Sequence, residues 1–261
     1  MRLSQRFPVE TFIGLTLLLT FAAYLLPLPS TSKPILYPVV VTFIPTLVAT
    51  LLSAVAGGNQ AIKILFTTVR PGRLEWLAIS ILLGAGMQFT IALLAFTLRY
   101  STTLRLTPSP QLVALAVITP ILALGEELGW RGYALSKLLK TNSPLAASLI
   151  TGIPWALVHL ALYLPGMMFI GRPLIAQILP IAFFSILHAW VFIKSGGSIL
   201  APTFLHGAFN FLGSLMNADL PVIQATYLGA VVLVGSALIV VVAKPAFWLQ
   251  IETKKRTGEY I

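Results

Sequence analysis

Apolar residues form long, almost uninterrupted runs along this chain, and polar residues are confined to short intervals between the runs. Each run is close to the ~20 residues that a helix needs to cross the hydrocarbon core of a bilayer. The pattern therefore predicts an all-α polytopic membrane protein, built as one bundle of about eight transmembrane helices. The predicted spans are residues 8–26, 35–56, 75–98, 111–139, 144–164, 173–194, 199–217 and 221–243.

The intervals between the runs contain residues that typically end or begin helices. Pro27 follows the first run, Gly57 follows the second, and Pro144 stands where the fifth span begins. The fourth run is longer than a bilayer requires, so we expect its last turns, near Lys137, to project into water. Residues 60–73 mix lysine and arginine with apolar residues, which is typical of a segment lying along the membrane surface.

Composition agrees with a membrane location. Hydrophobic residues make up 57% of the 261 residues, charged residues make up 9%, and the mean hydropathy is +0.94. A soluble domain would contain about 25% charged residues. We therefore expect a single transmembrane domain over residues 1–261, ending in a basic tail at residues 244–261. The absence of cysteine excludes disulfides, thiolate metal sites and a cysteine nucleophile.

The net charge of +10 is distributed over alternate predicted loops. Lysine and arginine collect on the cytoplasmic side of membrane proteins. With the N-terminus in the cytoplasm, twelve basic residues fall on that side and four fall on the other. We therefore predict an integral protein of the cell membrane with both termini in the cytoplasm, and a lipid bilayer rather than nucleic acid as its partner.

Very few ionisable residues lie inside the predicted spans, where such residues are costly and functional by default. They are Glu126, Glu127, Arg131, His159, His188 and His206. Glu127 and Arg131 are four residues apart, so they share a helix face and are expected to form an ion pair. Glu126 lies about 140° from Arg131 on the same helix and lacks that partner. We therefore assign the reactive role to Glu126 and a supporting role to the pair.

Two of the histidines have a polar or aromatic partner at helical spacing. Trp155 and His159 are four residues apart, as are His206 and Asn210, so each pair occupies one face of its helix. With the carboxylates of the fourth span, these faces predict a site to which three helices contribute. His188 has no comparable partner, and we interpret it as a structural histidine that is hydrogen-bonded across helices.

The two paired histidines lie at different depths. Counting from Pro144, His159 lies ~22 Å along a straight helix, whereas His206 lies only ~10 Å from the start of its span. They can meet only if the fifth span begins outside the bilayer or bends, and Pro154 offers a place for a bend. We predict a cytoplasm-facing cavity in which Glu126, His159 and His206 converge.

These motifs resemble those of the CAAX-processing and bacteriocin-processing family (CPBP, or Abi), a family of intramembrane proteases that includes the CAAX prenyl endopeptidases. The family's Glu-Glu-x-x-x-Arg motif is matched by Glu126, Glu127 and Arg131. Its Phe-x-x-x-His motif is matched at His159, with Trp155 in the aromatic position.

The family's third motif, His-x-x-x-Asn, is matched by His206 and Asn210. The resemblance covers about residues 112–211, and outside this core the spans match only in being apolar. It implies a membrane-embedded endopeptidase that acts on membrane-associated chains, such as prenylated CAAX proteins or leader peptides. The implied catalytic residues are Glu126, His159, His206 and Asn210, supported by Glu127, Arg131 and Trp155.

The residues are compatible with two mechanisms. In one, Glu126 and His159 polarise a water directly, while His206 and Asn210 donate hydrogen bonds to the oxyanion. In the other, Glu126, His159 and His206 hold zinc or another divalent metal and leave a fourth position for water.

Two further classes of protein remain as alternatives. A proton-coupled transporter also uses intramembrane glutamate, histidine and arginine, although no inverted repeat supports this class. A non-catalytic immunity or scaffold protein on the same fold is the other alternative. The sequence identifies neither the substrate nor the oligomeric state.

Overall fold

The computed structural model describes residues 7–29, 31–101, 112–216 and 220–250, apart from the side chains of Pro34, Leu112, Val113 and Leu115. Within these ranges the protein is helical, and no strand is present. Some basic residues of the predicted charge pattern lie outside the described residues, namely Arg2, Arg6, Arg105, Lys254, Lys255 and Arg256.

Each of the eight predicted spans contains one main helix. These helices are α1 (Pro8–Ala22), α2 (Lys33–Thr67), α3 (Leu74–Thr97), α4 (Leu112–Glu127), α5 (Pro144–Val158), α6 (Leu174–Lys194), α7 (Leu200–Met216) and α8 (Val222–Ala243). A short helix, α9 (Pro245–Leu249), follows. Helix α4 continues as a π-helix over Leu128–Leu135 and a last turn over Ser136–Leu138, and α5 continues as a 3₁₀-helix over His159–Tyr163.

Six helical segments among the described residues are long and apolar enough to cross a membrane by length and composition. They are Pro8–Leu25, Ile35–Thr67, Leu74–Thr97, Pro144–Tyr163, Leu174–Lys194 and Val222–Ala243. Large apolar side chains cover the outside of the bundle, as shown by Leu18, Ile35 and Val242, which are 63%, 70% and 74% exposed. A surface of this kind suits lipid rather than water. The protein is therefore a polytopic membrane bundle, as the sequence predicts.

Hydrogen bonds between connectors define two ends of the bundle. At the end named here the Ser195 end, the backbone N–H of Arg73 donates to Ser195 O at 3.1 Å, and Ile199 N–H donates to Thr68 O at 2.9 Å. The connectors before α3 and before α7 therefore lie together. At the opposite end, named the Pro165 end, the Tyr24 hydroxyl donates to Pro165 O at 2.9 Å.

Helix α2 is broken near the start of the predicted surface segment. Gly57 and Gly58 have non-helical backbone angles, and Gly58 has φ 58°, a left-handed value that glycine adopts without a Cβ penalty. The helical residues after this break lead to the Ser195 end. One face of them is buried at Leu65, while Ile64 and Phe66 are exposed. Contact of this segment with the membrane surface stays a prediction.

Helices α3 and α7 touch closely because a glycine stands at their contact. A Cβ atom added to Gly84 would lie 2.6 Å from Leu205 O and 2.9 Å from Phe209 N, both backbone atoms of α7. Small residues permit such close helix contacts in membrane proteins. The contact matters for the site because His206 lies between these two α7 positions.

Replacing Gly84 with alanine is expected to lower the free energy of unfolding by about 1–3 kcal/mol, because backbone atoms of α7 must move away from the added methyl group. Gly86→Ala, on the same helix, is the matched control, since a Cβ there has nothing within 4 Å. Thermal unfolding of both variants in detergent measures the difference. Equal midpoints for the two variants would show that α3 and α7 are farther apart than described.

Candidate functional site

The two carboxylates stand where α4 changes into a π-helix. Glu127 is the last residue of α4, and the π-helical turns that follow contain Arg131. π-Helical turns are rare and occur frequently at functional sites. Helix α2 packs against this region, since a Cβ on Gly129 would lie 2.5 Å from Pro45 O, and the Thr46 hydroxyl donates to Gly125 O at 2.6 Å.

The predicted ion pair is confirmed and is completely buried. Arg131 Nη1 donates to Glu127 Oε1 at 3.1 Å, and both side chains are 0% exposed. The other terminal nitrogen, Nη2, donates to the Ser185 hydroxyl at 3.1 Å, which in turn donates to Ser148 O at 3.0 Å. These bonds join the π-helix to α5 and α6, and they fix the guanidinium in one orientation.

Two histidines face the same carboxylate oxygen. His206 Nδ1 lies 3.1 Å from Glu127 Oε1, and His188 Nε2 lies 3.7 Å from it. His188 Nδ1 donates to Phe184 O at 2.8 Å, since a carbonyl can only accept. The hydrogen bond of His188 therefore lies within its own helix, and the sequence-based interpretation of a bond across helices is wrong. A carboxylate oxygen of Glu127 and one nitrogen from each histidine lie within 4.8 Å of one another. We call Glu127, His188 and His206, together with Arg131, the buried group.

Trp155 connects the second carboxylate to this buried group. Its indole N–H donates to Glu126 Oε2 at 2.5 Å, and the Arg131 guanidinium lies over its ring at 4.3 Å from the centroid. The same ring contacts His188 and His206 edge-on, with centroids 5.1 and 5.6 Å away. Glu126 therefore has a hydrogen-bond donor, the Trp155 indole, which belongs to α5. Residue spacing within α4 could not reveal this partner.

Glu126 and His159 line a cavity of about 60 Å³. His159 Nδ1 donates to Trp155 O at 2.7 Å, so Nε2 is the ring nitrogen left for other groups. The remaining lining residues are mostly apolar: Thr20, Pro38, Val41, Thr42, Pro45, Trp130, Val158 and Leu162. The Glu126 carboxylate and the His159 imidazole thus share a small cavity whose other lining residues are mostly apolar.

The structure does not bring all the predicted catalytic residues into this cavity. His206 is 7% exposed and bonds to Glu127, and it is absent from the described residues that line the cavity. Asn210 is exposed and is also absent from the lining. The predicted metal ligands are divided in the same way, with Glu126 and His159 in the cavity and His206 in the buried group.

Comparison with known proteins matches residues 107–212 to the family model described as type II CAAX prenyl endopeptidase Rce1-like. This match covers less than half of the chain, and residues 107–212 are called the Rce1-like segment below. The Rce1-like segment contains both carboxylates and all three histidines of the site, namely Glu126, Glu127, His159, His188 and His206. It also contains Trp155.

A curated protein is similar to the chain over part of its length. The CAAX prenyl protease 2 of Methanococcus maripaludis is 30% identical over 126 residues, which cover 44% of each chain. The chain therefore matches less than half the length of this relative. The cavity also extends beyond the Rce1-like segment, because α1 supplies Thr20 and α2 supplies Pro38, Val41, Thr42 and Pro45.

Proposed function

We propose that the protein is an intramembrane endopeptidase in which Glu126 and His159 activate a water for attack on a peptide bond. The observation that favours this function is the cavity between the Rce1-like segment and α1 and α2, where the Trp155 N–H fixes Glu126 in a space that it shares with His159. The family-model match and the similarity to the curated CAAX prenyl protease support a protease of the CAAX type. The proposed substrates are membrane-associated chains, either prenylated CAAX proteins or leader peptides.

Glu126 acts as the general base in this proposal. Its carboxylate accepts a proton from water while the water oxygen bonds to the peptide carbonyl carbon. The carbon–nitrogen bond then breaks, and the same carboxyl group returns the proton to the leaving amine. His159 Nε2 accepts a hydrogen bond from the second O–H of the water and so orients the water, because the Nδ1–H of the same ring donates to Trp155 O. The sum is hydrolysis of one peptide bond by one water.

The buried group holds these side chains in place. Glu127 neutralises Arg131, whose guanidinium lies over the Trp155 ring, and the indole N–H of that ring holds Glu126. We therefore assign His206 to positioning of Glu127 instead of oxyanion binding. Asn210 keeps its proposed oxyanion role only if substrate binding brings it to the cavity.

Comparative proteomics tests the proposed activity. Membrane peptides from cells that produce the wild-type protein are compared with those from cells that produce Glu126→Ala, and we expect cleaved products only with the wild type. Glu75→Ala is the matched control, since Glu75 is an acid at the exposed start of α3, outside the cavity. Identical peptide sets for the wild type and Glu126→Ala, with a Glu126-dependent solute flux in liposomes, would instead establish a transporter.

The residues fit a bound metal poorly. The predicted ligands Glu126, His159 and His206 do not form one group in the described residues, whereas Glu127, His188 and His206 do. The latter set has the donor types of a zinc site, and Glu127 Oε2 and His188 Nε2 have no hydrogen-bond partner. However, the Arg131 guanidinium lies on the same carboxylate at 3.1 Å and opposes a divalent cation in this enclosed place. We therefore propose that the water is activated without a metal.

Metal analysis of the purified protein tests this choice. We expect less than stoichiometric zinc and full cleavage after dialysis against a chelator. Stoichiometric zinc that is lost in His188→Ala would overturn the metal-free proposal and identify the buried group as its site. Zinc that is lost in His159→Ala but kept in His188→Ala would instead support the ligand set predicted from the sequence.

A further inference from the structure

Helix α2 lines the cavity with one face that contains two prolines. Its lining residues are Pro38, Val41, Thr42 and Pro45, which follow the spacing i, i+3, i+4 and i+7 of a single stripe along a helix. A proline inside a helix has no N–H to donate to the carbonyl four residues earlier. Pro45 therefore leaves the Val41 carbonyl without its usual helical partner.

This carbonyl lies on the cavity side of α2. In an α-helix the oxygen of residue i points along the axis toward the nitrogen of residue i+4, so it lies between these two residues on the helix surface. Val41 and Pro45 both line the cavity, together with Glu126 and His159. The unpaired oxygen of Val41 is therefore in the wall of the cavity that contains the proposed base.

Neighbouring donors do not pair with Val41 O. The Thr42 hydroxyl donates to Val39 O at 2.8 Å, and the Thr46 hydroxyl donates to Gly125 O at 2.6 Å. No described residue outside α2 donates a hydrogen bond to Val41 O. Membrane helices tolerate proline because other groups pair with the carbonyl that it leaves free. For Val41 O, the cavity is the place from which such a group can come.

We propose that Val41 O accepts a hydrogen bond from a backbone N–H of the substrate, at a peptide bond near the scissile one. This inference rests on the proposed function and states how the same site takes its substrate. Extended peptides commonly pair with the edge of a sheet, but the described residues contain no strand. The carbonyl that Pro45 leaves free is a backbone acceptor of the same kind, and it recognises the main chain whatever the side chains.

Ester replacement tests the proposed hydrogen bond, because it removes one N–H from a peptide and keeps every side chain. The probe is a fluorescein-labelled farnesylated CAAX peptide, and each analogue carries an ester in place of one non-scissile peptide bond. Fluorescence anisotropy measures their binding to the Glu126→Gln protein, which lacks the proposed base. We expect one analogue to bind about 3–10-fold more weakly than the all-amide peptide, which is the effect of one hydrogen bond.

Pro45→Ala, added to Glu126→Gln, should abolish this difference. The substitution supplies an N–H that pairs with Val41 O inside α2, so the substrate N–H has no acceptor left to lose. Pro38→Ala is the matched control. It removes a proline from the same face of α2, ~10 Å away, and should keep the 3–10-fold difference. Comparing amide and ester within each protein cancels the loss of the proline ring from the cavity wall.

Three results would overturn the inference. They are an all-amide peptide that does not bind, an ester series in which no analogue binds more weakly, and an ester effect that persists in Pro45→Ala. Failure of the proposed function has a different signature. Cleavage by Glu126→Gln at the wild-type rate would exclude Glu126 as the base while the Pro45-dependent binding difference remained.

Discussion

Replacing Glu126 with glutamine is expected to lower kcat for peptide cleavage by about 10²–10⁴-fold, the usual contribution of a positioned general base. The amide cannot take a proton from water, which removes the first step of the proposed reaction. Its oxygen can still accept from the Trp155 N–H, which lies 2.5 Å from Glu126 Oε2 in the native protein. The variant therefore removes the base while it preserves the local packing. Initial rates on a fluorescence-quenched farnesylated CAAX peptide in liposomes measure the effect.

Two control measurements distinguish a loss of catalysis in Glu126→Gln from a loss of folding. The thermal midpoint of Glu126→Gln should equal that of the wild type, so that a lower rate reflects chemistry and not unfolding. The exposed control Glu75→Gln should retain the wild-type rate. A Glu126→Gln protein that cleaves the peptide at the wild-type rate would exclude Glu126 as the base.

Replacing Arg131 with methionine is expected to lower the free energy of unfolding by about 3–5 kcal/mol, the usual cost of leaving a buried charge without its partner. Glu127 is 0% exposed, and its remaining neighbours at Oε1 would be two histidines. Arginine removal also leaves the Ser185 hydroxyl without the guanidinium that bonds to it. Chemical or thermal unfolding in detergent measures the change.

The double variant Glu127→Leu/Arg131→Met provides the decisive comparison. It should be more stable than Arg131→Met alone, because it removes the unpaired carboxylate as well as the guanidinium. Lys140→Met, at an exposed position, should stay within about 0.5 kcal/mol of the wild type. An Arg131→Met protein as stable as Lys140→Met would show that the ion pair is not buried as described.

Features that depend on one helix were predictable from the sequence. Runs of apolar residues locate every main helix, because a bilayer imposes a length and a composition on each span. The four-residue spacing of Glu127 and Arg131 predicts their ion pair, and the structure confirms it. Residues 59–67 are also separated from the rest of α2 by Gly57 and Gly58, where the sequence predicts the end of the second span.

Features that depend on contacts between helices were not predictable. Spacing within α4 shows that Glu126 points away from Arg131, but it says nothing of the indole that approaches from α5. His188 has no partner at helical spacing, and only the packing of α6 against the π-helix brings it to Glu127. The position of His206 relative to the cavity likewise depends on how α7 packs against α3, which the sequence alone does not predict.

The cavity is assembled from two parts of the chain with different relationships to known proteins. The residues proposed to transfer protons come from the Rce1-like segment, whereas half of the lining residues come from α1 and α2, which the family model does not cover. Mutations in these two helices can reshape the cavity without touching Glu126 or His159. Substitutions in α1 and α2 are therefore expected to change which peptides the proposed enzyme accepts and to leave its chemistry unchanged, so a family match confined to residues 107–212 does not predict substrate preference.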